Sequence, residues 1–181
     1  MNAADRIEQN LHSVETALCA ACRRAGRNAN EVTLMAVTKY AADEDVLTLL
    51  NTGHVRHIGE SRVQQAVARW TSPRFAAYDT VKHFIGHLQR NKAAQAAKLF
   101  DFIDSIDDIR TAQALNEQAL ILNKVLYVMV QIKLTDKDTQ SGVKLAEAPQ
   151  LVRQLQEFKQ LRPCGYMAIA PQTDDPQTLR P

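Results

Sequence analysis

The sequence lacks any apolar run that approaches the length of a membrane span, and it has no marked excess of charge of either sign. Its formal net charge is +2 over 181 residues, so no strong field for DNA or for an anionic membrane surface is expected. The basic residues are spread along the chain, and no aromatic stacking motif accompanies them. The sequence therefore predicts a protein with no membrane partner and no nucleic-acid partner.

Cysteines are few, and the N-terminus does not have the features of a signal peptide. Cys19 and Cys22 form a C-x-x-C pattern, but the pattern lies within the apolar stripe of a predicted first helix. There the two cysteines are expected to serve as small apolar residues of the helix. A zinc site would need further thiolates or histidines at matching spacing, and none is seen. The first 26 residues have no continuous apolar core and carry Asp5, Glu8 and Glu15. We therefore expect structural cysteines, no metal site and a cytoplasmic protein.

Strand and helix patterns alternate along the chain after this first helix. Such an alternation indicates an α/β fold with a parallel sheet. The predicted strands cover 32–39, 57–60, 81–87, 102–106, 124–133 and about 165–170. The first predicted helix between these strands is capped by Asp43 and ends before Gly53. The next two cover 62–70 and 90–100. The fourth begins at a cap, Asp107 or Asp108, and ends at Leu122, and the fifth covers 147–159.

Glycine is missing from the place where a doubly wound nucleotide-binding sheet would need it. That fold carries a glycine-rich phosphate loop after its first strand, but the sequence there reads VTKYAADEDV. A (β/α)8 barrel instead places its chemistry at the carboxyl ends of its strands. Polar and small residues gather at those ends, which favours a barrel without excluding other α/β folds. They are Lys39, Gly59, Glu60, Ser61, Gly86, His87, Gln89, Ser105 and the segment from Met167 to Pro171.

Lys39 ends an apolar strand, which is an unusual place for an amine. Desolvation favours a neutral amine, which can attack a carbonyl and form a Schiff base. Alternatively, the side chain reaches solvent or pairs with a carboxylate such as Asp43, Asp45 or Glu60. From the residues alone the second interpretation is favoured. For His87, a bond to a backbone group is likewise favoured over a ligand contact.

Five motifs, in family order, resemble those of the YggS/PROSC family, the pyridoxal phosphate homeostasis proteins. They are LMAVTKY, HIGESRVQQA, HFIGHLQRNK, FIDSID and GYMAIAP. The resemblance implies the TIM (β/α)8-type barrel of the alanine racemase N-terminal domain. It also implies pyridoxal 5′-phosphate (PLP) as the cofactor and Lys39 as the lysine that holds it as a Schiff base. Gly86, His87 and Met167 are implied to lie beside the cofactor, and the strand-end residues Ser61 and Ser105 complete the predicted cofactor-binding set.

The sequence departs from the family pattern in two places. The family usually has asparagine where Ser61 stands. Asparagine offers an amide donor and an acceptor, whereas serine has a single hydroxyl on a shorter side chain. The family also continues past MAIAP with two more strands that hold the cofactor phosphate. We therefore expect one domain over residues 1–181 with about six of the eight barrel strands, weakened cofactor binding, and two apolar sheet edges open to association.

The resemblance implies a PLP-binding protein of cofactor homeostasis with no turnover and no catalytic residue of its own. PLP is the expected binding partner, and amino acids or PLP-dependent apoenzymes are candidates for further partners. No feature of the sequence indicates an oligomeric state. One alternative is a small PLP-dependent enzyme similar to an amino-acid racemase, although racemisation needs an acid/base group on each face of the substrate carbon. The other alternative is a truncated remnant with impaired cofactor binding.

Overall fold

The computed structural model describes residues 2–135, 140–173, 175 and 177. Parts of two polar segments, the predicted loop LTDKDTQSGV at 134–143 and the tail QTDDPQTLRP at 172–181, lie outside the described residues. The chain divides into two compact units. The first comprises Met1–Glu60 and Gln64–Val81, and the second comprises Ser61–Val63 and Lys82–Pro181. The single domain over residues 1–181 stays a prediction. No helix in the described part of the chain is long and apolar enough to cross a membrane.

The first unit begins with a long helix whose N-terminus is closed by a capping box between Asn2 and Asp5. The Asn2 side chain accepts a hydrogen bond from the Asp5 amide, and the Asp5 carboxylate accepts one from the Asn2 amide. This helix packs against the next one along the chain. The elements are α1 (Ala3–Arg24), a 3-10 helix (Ala29–Glu31), β1 (Met35–Val37), α2 (Asp43–Asn51), β2 (His57–Glu60) and α3 (Val63–Trp70), whose first residue belongs to the second unit.

The strands β1 and β2 pair in parallel, with Met35 opposite His57. The predicted bounds of β2 are confirmed. The strand β1 is shorter than the predicted 32–39, because Val32 caps the preceding 3-10 helix and Lys39 lies in the turn that follows the strand. The prediction that Asp43 caps α2 is wrong. The cap position belongs to Ala42, and Asp43 begins the helix with its carboxylate bonded to Arg69 instead.

The second unit is a four-stranded parallel sheet in the order β3-β4-β5-β6, with helices between its strands. The helices α4, α5 and α6 pack in chain order, α4 on α5 and α5 on α6. The elements are β3 (Val81–Phe84), a 3-10 helix (Arg90–Lys92), α4 (Ala93–Leu99), β4 (Phe102–Ile106), α5 (Ile109–Ile121), β5 (Leu126–Ile132), α6 (Ala148–Gln156) and β6 (Leu161–Ala168).

The two faces of the second unit's sheet differ. Leu126, Val128 and Val130 of β5 are fully buried, whereas Tyr127 between them is 46% exposed. Tyr127 stacks on Phe102 of β4 at a centroid distance of 4.9 Å, and Phe102 stacks on His83 of β3 at 4.3 Å. One face is therefore aliphatic and covered, and the other carries a row of stacked rings across three strands.

Candidate functional site

Lys39 lies two residues beyond the end of β1, at the carboxyl end of the strand. The Thr38 amide still bonds to the Gly59 carbonyl of β2, and the chain then turns, with the Ala41 amide bonded to the Thr38 carbonyl. The Lys39 side chain is half-buried, and its Nζ lies 5.2 Å from the centroid of the Tyr40 ring. The strand end thus presents the amine from a short turn that begins on a paired backbone.

Lys39 lines a cavity of about 380 Å³ within the first unit. Tyr40, Asp43, Glu60 and Arg69 contribute the other charged or aromatic side chains of its lining. Asp43 and Glu60, two of the carboxylates considered as partners of Lys39, both pair with Arg69. The cavity therefore holds an amine beside a carboxylate–guanidinium network that is already internally paired.

Arg69 of α3 is the centre of that network, although the sequence did not single it out. Its Nε donates to Asp43 at 2.7 Å, and its Nη1 donates to Glu60 at 2.9 Å. Glu60 is 2% exposed and also accepts hydrogen bonds from the Thr38 hydroxyl at 2.7 Å and from the Trp70 indole at 3.3 Å. A buried carboxylate with three donors is well satisfied. A polar residue on an amphipathic helix gives no sequence signal of such a contact.

Ser61 and Gly86 meet in the second unit. A Cβ placed on Gly86 would lie 2.2 Å from the Ser61 carbonyl oxygen, which is far inside van der Waals contact. Only glycine allows the two backbones this approach, so Gly86 is required for space and not for an unusual φ angle. The structure thus brings together these two predicted cofactor residues, both of which belong to the second unit.

His87 follows Gly86 on the loop after β3 and is well exposed. Its Nδ1 lies 3.7 Å from the Asp107 carboxylate, at the carboxyl end of β4. Asp107 in turn accepts a hydrogen bond from the Gly142 amide at 3.1 Å. The sequence predicts Asp107 or Asp108 as the helix cap; the cap is Asp108, and nothing in the sequence indicates the contact of Asp107 with His87. His87 is thus an exposed ring beside an anchored carboxylate.

Ser105 lies near the end of β4, where the pairing with β5 shifts register between Ile103 and Ile106. Its side chain is buried, and its hydroxyl has no hydrogen-bond partner among the described residues. Asp104 beside it bonds to His83 at 2.9 Å through one oxygen, while its other oxygen has no partner in the described part of the chain. A buried orphan hydroxyl is a ready donor for a further group.

Met167 lies on β6 opposite Gln131 of β5, near the carboxyl ends of both strands, and is half-buried. Five of the predicted site residues belong to the second unit and lie at the carboxyl ends of strands or in the loops that follow them: Ser61, Gly86, His87, Ser105 and Met167. Lys39 occupies the equivalent end of β1 in the first unit. Of these six residues, the structure records a direct approach only for Ser61 and Gly86 within the described residues.

Lys124 is another lysine next to an apolar strand, but it lies at the amino end of that strand. Burial lowers the pKa of Lys124, which precedes β5, and the neighbouring Asp101 opposes that effect. The Lys124 Nζ donates to the Phe100 carbonyl at 2.6 Å and lies 3.6 Å from Asp101. Its amine is thus engaged at the amino end of the sheet, away from the ends where barrel sites form.

No group of three or more His, Cys, Asp or Glu side chains in the part of the chain that the structure describes could hold a metal ion. Cys19, Cys22 and Cys164 are free thiols, and the C-x-x-C pair lies on α1 as predicted.

The parallel strands and the helices that alternate with them define an α/β protein, with a lysine at the carboxyl end of its first strand. The family model described as "Alanine racemase, N-terminal domain" matches residues 13–180. The alanine racemase of Clostridium difficile shares this fold, with a TM-score of 0.70 at 18% identity over 92% of this chain and 41% of that one. The predicted fold class is confirmed.

Closer relatives narrow the class to one family. The chain is 35% identical over 170 residues to the pyridoxal phosphate homeostasis protein of Escherichia coli K12, covering 93% of this chain and 72% of that protein. This chain belongs to the YggS/PROSC family of pyridoxal phosphate homeostasis proteins.

Two solved structures are similar over most of the chain. The structure of an unknown protein from Bifidobacterium adolescentis has a TM-score of 0.87 at 27% identity, over 98% of this chain and 75% of that one. PipY of Synechococcus elongatus with PLP bound has a TM-score of 0.71 at 30% identity, over 87% of this chain and 71% of that one.

Proposed function

We propose that this protein binds PLP and serves the homeostasis of that cofactor, with Lys39 as the residue that holds it. The observation that carries the proposal is a half-buried lysine at the carboxyl end of β1, in a chain 30% identical to PipY with PLP bound. Barrels of this type build their sites at that end of the strands. When bound, PLP supplies an aldehyde that a lysine amine can attack reversibly.

The residues of this chain fit such a cofactor in three respects. Lys39 provides an amine on a turn that is held by backbone pairing. Ser105 provides a buried hydroxyl without a partner among the described residues, and the glycine at position 86 removes the Cβ that would block the approach to Ser61. The fit therefore rests on an amine, an unused donor and a close backbone approach, each at a carboxyl strand end.

The other predicted residues are assigned roles in positioning the cofactor. The exposed ring of His87, held near the Asp107 carboxylate, offers a donor to a polar group of the cofactor. Ser61 lies against Gly86 and lends its hydroxyl where the family usually has an amide. Met167 offers a flexible apolar surface, which suits the face of an aromatic ring.

The proposal extends to partners and location. A reversible bond between an amine and an aldehyde suits a carrier that exchanges PLP with free amino acids or with PLP-dependent apoenzymes. Three free thiols and no disulfide among the described residues suit a reducing compartment, so we place the protein in the cytoplasm.

Titration with PLP, followed by absorbance of the bound cofactor, tests the proposal. Wild type should bind PLP with a new visible absorbance band, and Lys39→Ala should lose that band. Lys98→Ala, which removes an exposed lysine of α4, is the matched control and should behave as wild type. An unchanged band in Lys39→Ala, or no binding by wild type, would contradict the proposal.

A further inference from the structure

The turn that carries Lys39 is held by one side chain from a distant helix. Arg69 donates through Nη1 to the Thr38 carbonyl at 2.9 Å and through Nη2 to the Ala41 carbonyl at 2.6 Å. These two carbonyls bracket Lys39 and Tyr40 in the chain. Because one planar group grips both sides of the turn, the backbone of Lys39 has little freedom to move relative to α3.

Two carboxylates orient the guanidinium for this grip. Glu60 at the end of β2 accepts from Nη1, and Asp43 at the start of α2 accepts from Nε. Four hydrogen bonds thus use Nε and both terminal nitrogens of a side chain that is only 15% exposed. The Thr38 hydroxyl closes the set by donating to Glu60, so strand, turn and helix share one hydrogen-bonded network.

A surface arginine of the same unit shows that this arrangement is not a general property of the region. Among the described residues, the Arg74 guanidinium pairs with Glu44, with both contacts at 2.8 Å, and the Arg74 side chain is 49% exposed. Arg74 therefore forms an exposed ion pair with another side chain, and its guanidinium contacts no backbone carbonyl in the described part of the chain. Arg69 contacts two main-chain carbonyls on either side of Lys39 and Tyr40, and the backbone at Lys39 sets the direction in which its side chain leaves the chain.

We propose that Arg69, oriented by Glu60 and Asp43, is a positioning residue that fixes the turn at 38–41 and thereby aims the Lys39 amine. This inference rests on the proposed function for its consequence, the capture of PLP by Lys39, but the grip on the turn is independent of any cofactor. Arg69 does not touch the reacting atoms in this role. Its loss misdirects the amine and leaves the amine's own chemistry intact.

The test has two readouts, of which only one involves PLP. Amide hydrogen exchange of the cofactor-free protein reports the motion of the turn at residues 38–41. Borohydride reduction after incubation with PLP, followed by peptide mapping, reports the amount of pyridoxyl group on Lys39 relative to other lysines. The variants are Arg69→Met, which loses all four bonds, and Arg69→Lys, which keeps the charge but not the planar fork. Arg74→Met is the matched control.

We expect faster exchange of the turn and about tenfold less label on Lys39 in Arg69→Met, an intermediate result in Arg69→Lys, and wild-type behaviour in Arg74→Met. If Arg69→Met does not fold, Arg69→Lys and Asp43→Asn decide the question by the same two readouts. Wild-type exchange and wild-type labelling in folded Arg69 variants would overturn the inference.

The two proposals fail in different ways. If wild type itself carries no label on Lys39, the proposed function fails, and the grip on the turn is then judged by hydrogen exchange alone. If wild type is labelled on Lys39 and the Arg69 variants are labelled equally, the positioning role fails while the proposed function stands.

Discussion

Lys39 and Lys124 both lie next to apolar strands, but their side chains have different environments. Lys39 stands at the carboxyl end of β1 on a short turn, whereas Lys124 stands before β5 with its amine bonded to the Phe100 carbonyl. The sequence singled out Lys39 because it ends an apolar run. It gave no sign that Arg69, thirty-one residues after Thr38, would hold the turn, because a contact between two elements leaves no local pattern.

Gly86 carries a prediction at this same residue scale. Replacing it with alanine pushes a Cβ into the Ser61 carbonyl, and because the obstacle is backbone it has no flexible side chain to move aside. We expect Gly86→Ala to reduce the free energy of unfolding by about 1–3 kcal/mol, the usual cost of overpacking. Denaturant unfolding of the variant and wild type measures the difference.

Ser61→Ala is the control for this prediction. It keeps the Ser61 carbonyl, so it should be close to wild type in stability, and the double variant should be as destabilised as Gly86→Ala. A Gly86→Ala protein as stable as wild type would show that the two backbones can separate freely.

At the scale of elements, the sequence predicted some boundaries well and others poorly for identifiable reasons. The strands β2 and β4 have their predicted ends because polar or turn residues limit the apolar runs on both sides. The strand β6 covers Leu161–Ala168 instead of about 165–170. Its pairing with β5 begins at Leu161 and passes through Pro163. Proline lacks an amide hydrogen and is disfavoured inside strands, so the sequence does not predict a strand that reaches back past Pro163. Among the described strands β6 pairs only with β5, and a strand at the edge of a sheet tolerates proline.

The helix α5 yields a prediction on stability and pH. Asp108 caps it by accepting hydrogen bonds from the Thr111 amide at 2.8 Å and the Thr111 hydroxyl at 2.9 Å. Partial burial by itself raises the pKa of Asp108, but the hydrogen bonds from Thr111 and from the Arg110 amide, together with the Arg110 charge, outweigh burial and hold the pKa below the ordinary value of 3.8. We expect Asp108→Ala to cost about 1 kcal/mol of unfolding free energy at neutral pH.

The pH dependence of that cost follows from the direction of the pKa shift. A carboxyl group whose pKa is lowered by folding contributes stability above its unfolded pKa, and loses it as pH falls through the folded pKa. The difference between wild type and Asp108→Ala should therefore shrink below pH 3.8. Asp108→Asn, which keeps a cap without a charge, should be close to wild type near neutrality. A cost that is unchanged at low pH would contradict this account.

At the scale of the whole molecule, the five motifs predicted more than the element patterns did. Alternating strands and helices indicated only an α/β fold, whereas the motifs identified the family and its barrel, both of which the comparisons confirm. The roles of Lys39, Ser61, Gly86, His87, Ser105 and Met167 at a cofactor stay predictions. Sequence spacing could not show which of them approach each other, because that depends on the register between strands.

The match of the alanine racemase N-terminal domain to residues 13–180 leads to a prediction about turnover. Racemisation of an amino acid needs an acid/base group on each face of the substrate carbon, and this chain matches one domain of an enzyme of that kind. We expect no racemisation of L- or D-alanine above the level of Lys39→Ala when PLP is present. Chiral chromatography of the products measures it. Turnover that copurifies with wild type and disappears in Lys39→Ala would favour the enzyme alternative.

The site of covalent attachment of PLP tests the central claim most directly. The protein would be incubated with PLP, reduced with borohydride, digested and mapped by mass spectrometry, with Lys39→Ala treated in parallel. The account predicts the pyridoxyl mass on the peptide that contains Lys39, and its loss in the variant. A pyridoxyl mass found on Lys124 or other lysines, with Lys39 unmodified, would contradict the account.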